Sequence, residues 1–326
     1  MKLAILGTGM IVHDLMNTIH DLDLERIDIL STQSSYDHAI ELVREYHLND
    51  VYLDYDQLLE GECDTVYIAL PNSLHYQFAK KALLHNKNLI IEKPITSTYE
   101  ELKDLEELAD KKHLIIIEAV TIHAMPAYLS LKEKIKTLGD IKILSLNYSQ
   151  YSSRYDAFKQ GKILPAFDYH KSGGALSDLN IYNVHFTVGL FGKPNKVFYY
   201  PNMERNIDTS GILILEYFHF KAVLVGAKDC QAPLMNTIQG DKGHIVIRVP
   251  VSRMRDYQIT YNKEKTEDFS FDNNAHGMSY EFKEFIRIID TKDYRKAHDL
   301  FEISKIVSEV LNQARKTGGI RFDADK

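Results

Sequence analysis

Through the first 122 residues, short apolar runs alternate with stretches in which apolar positions recur every three or four residues. Residues 2–6, 27–30, 65–69, 88–91 and 114–118 read as strands, and 11–20, 36–46, 76–85 and 99–111 as helices. In 36–46, Ala39, Ile40 and Val43 fall on one face, the spacing of an amphipathic helix. Strands separated by helices of this length describe βαβ units and predict a parallel sheet. The unbroken runs YIAL, LII and LIII suit strands covered on both faces.

Beyond residue 122 the period changes. A helix is predicted over 127–137, ending near Gly139. Strands then dominate, at 141–151, 197–200, 211–217, 222–227, 237–239, 244–249 and 257–261, with the in–out alternation of an antiparallel sheet that covers a core on one side. One helix, 175–190, interrupts them; it follows Gly173-Gly174 and stops before Gly192 and Pro194. Helices at 279–289 and 300–315 close the chain. The pattern predicts an α/β Rossmann domain with a doubly wound parallel sheet over 1–122. An α+β domain with a large, open, mostly antiparallel sheet follows over 123–326, its last helix free to pack back on the first domain.

Composition narrows the class. The chain has 326 residues, 44% hydrophobic and 26% charged, enough for two cores. A net charge of −7 without basic clusters leaves no footprint for nucleic acid or an anionic membrane. No stretch approaches the roughly 20 apolar residues that span a bilayer, and MKLAILGTGM lacks the form of a secretory signal. Cys63 and Cys230 stand far apart and read as reduced thiols. The histidines show no metal-ligand spacing. A cytoplasmic protein without a bound metal is expected.

Gly7-Thr8-Gly9-Met10-Ile11-Val12 follows the first strand and opens the first helix, the setting of a dinucleotide-binding turn. The first glycine allows the tight turn and the second lets backbone approach a pyrophosphate. Val12 stands where a third small residue is usual. An acid at the end of the second strand selects NAD, and an Arg nearby accommodates the 2′-phosphate of NADP. Ser31-Thr32-Gln33 has neither. Its hydroxyls could hold a phosphate, which tilts the choice between NAD and NADP toward NADP; a solvated loop without preference is the competing reading.

Two further segments lie at strand ends, where open α/β sheets bind ligands: Ala69-Leu70-Pro71-Asn72-Ser73-Leu74-His75, and Ile91-Glu92-Lys93-Pro94. In the second domain Asp178 and Tyr182 are four apart on one predicted helix, with His185 three beyond. At these residues the chain resembles the Gfo/Idh/MocA oxidoreductases. The likeness runs through GTGMI, PNSLH, EKP, Glu118-Ala119, GGALSDLNIY, QGDKGHI, SYEFKEFI and GGIRF. It is similar above all to the branch with dihydrodiol dehydrogenase and anhydrofructose reductases, which has Tyr where many members have His.

The resemblance implies that Lys93 lies beside the nicotinamide and the reacting oxygen, that Asp178 contacts substrate and that Tyr182 transfers the proton. It also places Pro71, Asn72, His75 and Glu92 along the cofactor. Two departures stand out: Asn180 replaces a usual glycine, which would narrow the pocket, and Gln33 replaces a usual Arg. The chemistry is consistent. A free tyrosine, with a pKa of about 10, is a poor base near neutrality, and a neighbouring ammonium would stabilise its phenolate. Lys93 could also bond the substrate oxygen as charge develops. Each residue has a plainer role open to it: a surface lysine, a core tyrosine, a helix-capping aspartate.

His123, Arg154 and His185 are further substrate candidates, although His185 reads first as a core or helix-packing residue. Arg154 lies in the long segment 152–172, a length often functional. The expected activity is hydride transfer between NAD(P) and a hydroxyl or carbonyl carbon of a small polyhydroxylated molecule such as a sugar, inositol or diol. A dinucleotide-binding regulator on the same fold is the alternative. The broad sheet needs cover on its outer face, so a homodimer or tetramer is expected.

Overall fold

The computed structural model describes residues 1–263, 265–271 and 277–326. The chain divides into two units, Met1–Ala119 with Ala275–Glu302, and Val120–Asn274 with Ile303–Lys326. The expected boundary at 122 thus falls at 119/120, and a C-terminal segment groups with the first unit.

The first unit runs β1 (Lys2–Leu6), α1 (Met10–Met16), β2 (Arg26–Leu30), α2 (Tyr36–Tyr46), β3 (Val51–Tyr52), α3 (Tyr55–Glu60), β4 (Thr65–Ile68), α4 (His75–Leu84), β5 (Asn88–Glu92), α5 (Tyr99–Lys112) and β6 (Ile116–Ala119). All pairings are parallel, in the order β3-β2-β1-β4-β5-β6. Strand order reverses between β1 and β4, so a crevice opens at their carboxyl ends. The apolar runs fill both faces of the sheet. Leu3, Ile5, Tyr67, Ile90 and Ile117 face one core, while Ala4, Leu6, Val66, Ile68, Leu89 and Ile91 face another.

In the second unit come α6 (Pro126–Lys134), β7 (Ile141–Ser149), α7 (Tyr155–Lys159), α8 (Ile181–Phe191), β8 (Lys196–Glu204), β9 (Ile207–Glu216), β10 (Lys221–Ala227), β11 (Asn236–Gly240), β12 (Gly243–Ile247), β13 (Asp256–Tyr261) and β14 (Thr266–Ser270). They form an eight-stranded sheet, β14-β13-β12-β11-β7-β10-β9-β8, antiparallel except for β7 with β10. Leu131, Val184, Val188 and Leu311 pack with inward strand residues such as Leu144, Leu213 and Leu224.

Two helices follow, α9 (Gly277–Asp290) and α10 (Tyr294–Gly318). Met278, Phe282, Phe285 and Ile286 of α9 join the core of the first unit, which is why this late segment groups there. Among the described residues no helix is long and apolar enough to cross a membrane.

Candidate functional site

Gly7 is held by its N–H bond to Leu30 O at 3.0 Å. Its φ is +106°, a region that L side chains rarely adopt, and a Cβ there would lie 2.9 Å from Ala69 O. Gly9, at the start of α1, differs: its φ is −78° and a Cβ would meet nothing within 4 Å. Gly7 serves the turn, and the space beside Gly9 is open. Thr8 and Ile11 are half-buried and Met10 is exposed. This turn fits a dinucleotide, because Gly9 leaves exposed backbone at the start of α1.

Ser31 is buried at the end of β2, with Thr32, Gln33 and Ser34 exposed. The hydroxyls cluster: Ser31 Oγ lies 2.9 Å from Ser35 Oγ, and Thr32 Oγ1 lies 2.9 Å from both Ser34 Oγ and Ser35 Oγ. The loop offers neutral donors and no carboxylate, a surface compatible with a phosphate.

At the end of β4, Pro71 is exposed and Asn72 half-buried, whereas His75 is sealed from solvent. Its Nδ1 lies 2.9 Å from Pro94 O and its Nε2 2.8 Å from Leu70 O. The ring therefore fastens the PNSLH segment to EKP from behind. Burial depresses its pKa, and a neutral ring carries one N–H, so it donates to one carbonyl at a time. Glu92 Oε1 accepts the Tyr67 hydroxyl at 2.7 Å. Burial raises the Glu92 pKa, opposed by that bond and by the Lys93 charge. Lys93 is half-buried and precedes a cis peptide to Pro94. From α9, Glu281 is 2% exposed, and its carboxyl is pushed well up by burial and by Glu92. Tyr67 and Glu281 went unread in the sequence. The signal for Glu281 was a carboxylate four residues before Phe285, on the apolar face of a predicted helix.

In the second unit the predicted helix 175–190 begins instead as a π turn, Leu176–Asn180, before α8. Such insertions are frequent at functional sites. Asp178 lies in this turn and Tyr182 in the first turn of α8, both half-buried. Tyr182 packs on Tyr148, with ring centroids 6.0 Å apart. Asn180 corrects an expectation. It does not narrow a pocket, because its side chain is fully buried and donates to Leu224 O at 3.1 Å, while its Oδ1 accepts Asn183 Nδ2 at 2.9 Å. The matching gap is Gly226 on β10, where a Cβ would stand 2.7 Å from Asn180 Cβ.

Lys228, just past β10, donates to Asp178 Oδ2 at 2.6 Å and to Ala166 O at 2.7 Å. His185 is fully buried, with Nδ1 3.2 Å from Nε2 of the half-buried His123. Arg154 is exposed at the start of α7, which with short 3₁₀ turns fills the segment expected to be irregular.

Comparison with known proteins defines the class. Residues 1–120 match the model of an oxidoreductase family with an NAD-binding Rossmann fold. The chain is an NAD(P)-dependent oxidoreductase of the dehydrogenase/reductase type. It is 30% identical to the scyllo-inositol 2-dehydrogenase (NADP(+)) of Bacillus subtilis, over 100% of this chain and 99% of that protein. A trans-1,2-dihydrobenzene-1,2-diol dehydrogenase from Homo sapiens is 23% identical over 100% and 99% of the two chains. The fold matches a 3-ketoreductase from Actinomadura kijaniata, crystallised with NADP and TDP-benzene, at a TM-score of 0.82 and 18% identity over 96% and 98%. The protein belongs to the Gfo/Idh/MocA family.

Proposed function

We propose that the enzyme moves hydride between NADP and a hydroxyl- or carbonyl-bearing carbon of a small polyhydroxylated ring, an inositol or a related cyclic polyol. One observation carries the substrate class: the Asp178 carboxylate, 34% exposed, lies four residues before the half-buried phenol of Tyr182 and is paired by its Oδ2 with Lys228. A fixed anion beside a proton-transfer group suits a substrate with a second hydroxyl to donate. The relative named for scyllo-inositol and NADP supports both the ring and the coenzyme.

When bound, the coenzyme supplies or accepts hydride at its nicotinamide. The turn Gly7–Ile11, the hydroxyl loop Ser31–Gln33, and Pro71, Asn72 and Glu92 would hold it. In oxidation the Tyr182 phenolate takes the substrate O–H proton, and in reduction the phenol returns it. The Lys93 ammonium stabilises negative charge on the substrate oxygen and on the phenolate. Asp178 accepts the neighbouring hydroxyl and sets the ring's orientation.

We assign the outer face of the second unit's sheet to self-association. Phe198, Ile214 and Val223 are register partners across β8, β9 and β10, as are Tyr200, Ile212 and Val225. Tyr200 is 62% and Ile212 45% exposed. Two apolar rows on one open face fit a second copy. A cytoplasmic setting accords with unbridged Cys63 and Cys230.

The test is turnover of a panel of inositols, other cyclic polyols and trans-diols with NADP+ and NAD+, followed by nicotinamide absorbance. Oxidation of cyclic polyols, faster with NADP+, is expected. A panel without turnover overturns the reading.

A further inference from the structure

Lys228 is 2% exposed, an uncommon place for an ammonium, which loses its hydration when buried and needs compensating partners. It has three kinds. Asp178 Oδ2 and Ala166 O accept from Nζ at 2.6 and 2.7 Å, and Nζ sits 4.5 Å from the centroid of the Phe167 ring. These partners come from two separate pieces of chain. Ala166 and Phe167 belong to the long segment after β7, and Asp178 to the π turn. Lys228 itself continues the inward-facing row Ala222, Leu224 and Gly226 of β10.

Asp208 also feels the Lys228 charge. Its Oδ2 is already taken by Tyr199 Oη and Leu176 N, each at 2.7 Å. Lys228 forms an ion pair with Asp178, and the contrast in exposure gives the pair a direction. The lysine is enclosed, whereas the carboxylate it holds remains 34% accessible. A donor-only group at one oxygen holds the Asp178 carboxylate in one orientation.

We propose that Lys228 is a positioning residue. It fixes the Asp178 carboxylate as a hydrogen-bond acceptor for a substrate hydroxyl and locks it to the segment carrying Ala166 and Phe167. The inference rests on Asp178 contacting substrate. Lys228 acts through Asp178 and does not touch the reacting atoms. Removing it frees the carboxylate to rotate and hydrate, so the substrate hydroxyl loses a prepared partner. The effect falls on productive binding of polyols and leaves nucleotide affinity alone.

The test is a double-mutant cycle in kcat/KM on the fastest polyol of the panel, using Lys228→Met, Asp178→Asn and the pair. Melting temperature and NADPH affinity are measured for each. Lys228→Gln serves as a second variant, retaining hydrogen bonding without charge, should the methionine variant fold poorly. Either Lys228 variant is expected to lower kcat/KM at least 30-fold in the Asp178 background and less than threefold in the Asp178→Asn background, with NADPH affinity unchanged. Losses that multiply in the double variant, or a Lys228 variant within threefold of wild type, overturn the proposal while leaving the role of Asp178 intact. An Asp178→Asn enzyme with full activity instead removes the reading beneath it, and the inference with it.

Discussion

Tyr199 donates its hydroxyl to Asp208 Oδ2 at 2.7 Å, and the same oxygen receives the Leu176 N–H at 2.7 Å. A carboxylate on β9 thus anchors the start of the π turn that carries Asp178. Asp208 is 1% exposed, and burial outweighs its hydrogen bonds, pushing its pKa up to about 6. The folded protein then keeps this proton up to about pH 6, whereas the unfolded chain releases it near pH 4. Stability from this group is fully present below about pH 4 and is lost as pH rises to about 6, by up to about 3 kcal/mol. Urea unfolding across that window should show a steeper fall in stability for the wild type than for Asp208→Asn, which keeps the slope from Glu92 and Glu281 and loses that of Asp208. Parallel pH profiles for the two proteins would show that Asp208 titrates normally.

The two glycines of the first turn should fail differently. Gly7→Ala places a Cβ 2.9 Å from Ala69 O at a φ of +106°, a strain of about 1–3 kcal/mol. It should lower the melting temperature by several degrees. A Cβ at Gly9 would meet nothing within 4 Å, so a larger residue can be placed there as Gly9→Val. That variant should melt like the wild type yet bind NADPH at least tenfold more weakly, because its side chain obstructs the backbone. NADPH fluorescence titration beside thermal melting separates the two; equal affinity for Gly9→Val and wild type would remove Gly9 from the nucleotide site.

The outer sheet face gives a third expectation. Ile212 is 45% exposed, opposite Tyr200 on β8 and Val225 on β10. A lysine there places a charge in the centre of the apolar rows. Wild type should sediment as a dimer or larger, and Ile212→Lys as a monomer with its melting transition retained. A monomeric wild type at micromolar concentration contradicts the assignment.

The parallel sheet was legible because strands such as Val66–Ile68 and Leu89–Ile91 are apolar without interruption, which only two-sided burial explains. β3 was missed because two residues, Val51–Tyr52, carry no periodicity. β14 was missed because Thr266–Ser270 is a polar edge strand. The π turn has no signature in composition; only the backbone bonding distinguishes it from the α-helix that was expected. Asn180 looked like an obstruction because its identity was visible and its direction was not. Lys228 did leave a trace, a charge on the inward parity of a strand whose preceding inward residues are Ala222, Leu224 and Gly226, and it was not followed.

The central claim is that Lys93 and Tyr182 serve the same proton transfer, and a kinetic cycle on these two residues tests it most directly. Lys93→Met and Tyr182→Phe should each lower kcat by roughly 10²–10⁴-fold, with NADPH affinity little changed. The double variant should be no slower than the worse single one, within threefold, because groups acting on one step are not additive. Full turnover in Lys93→Met, or losses that multiply in the double variant, would contradict the account.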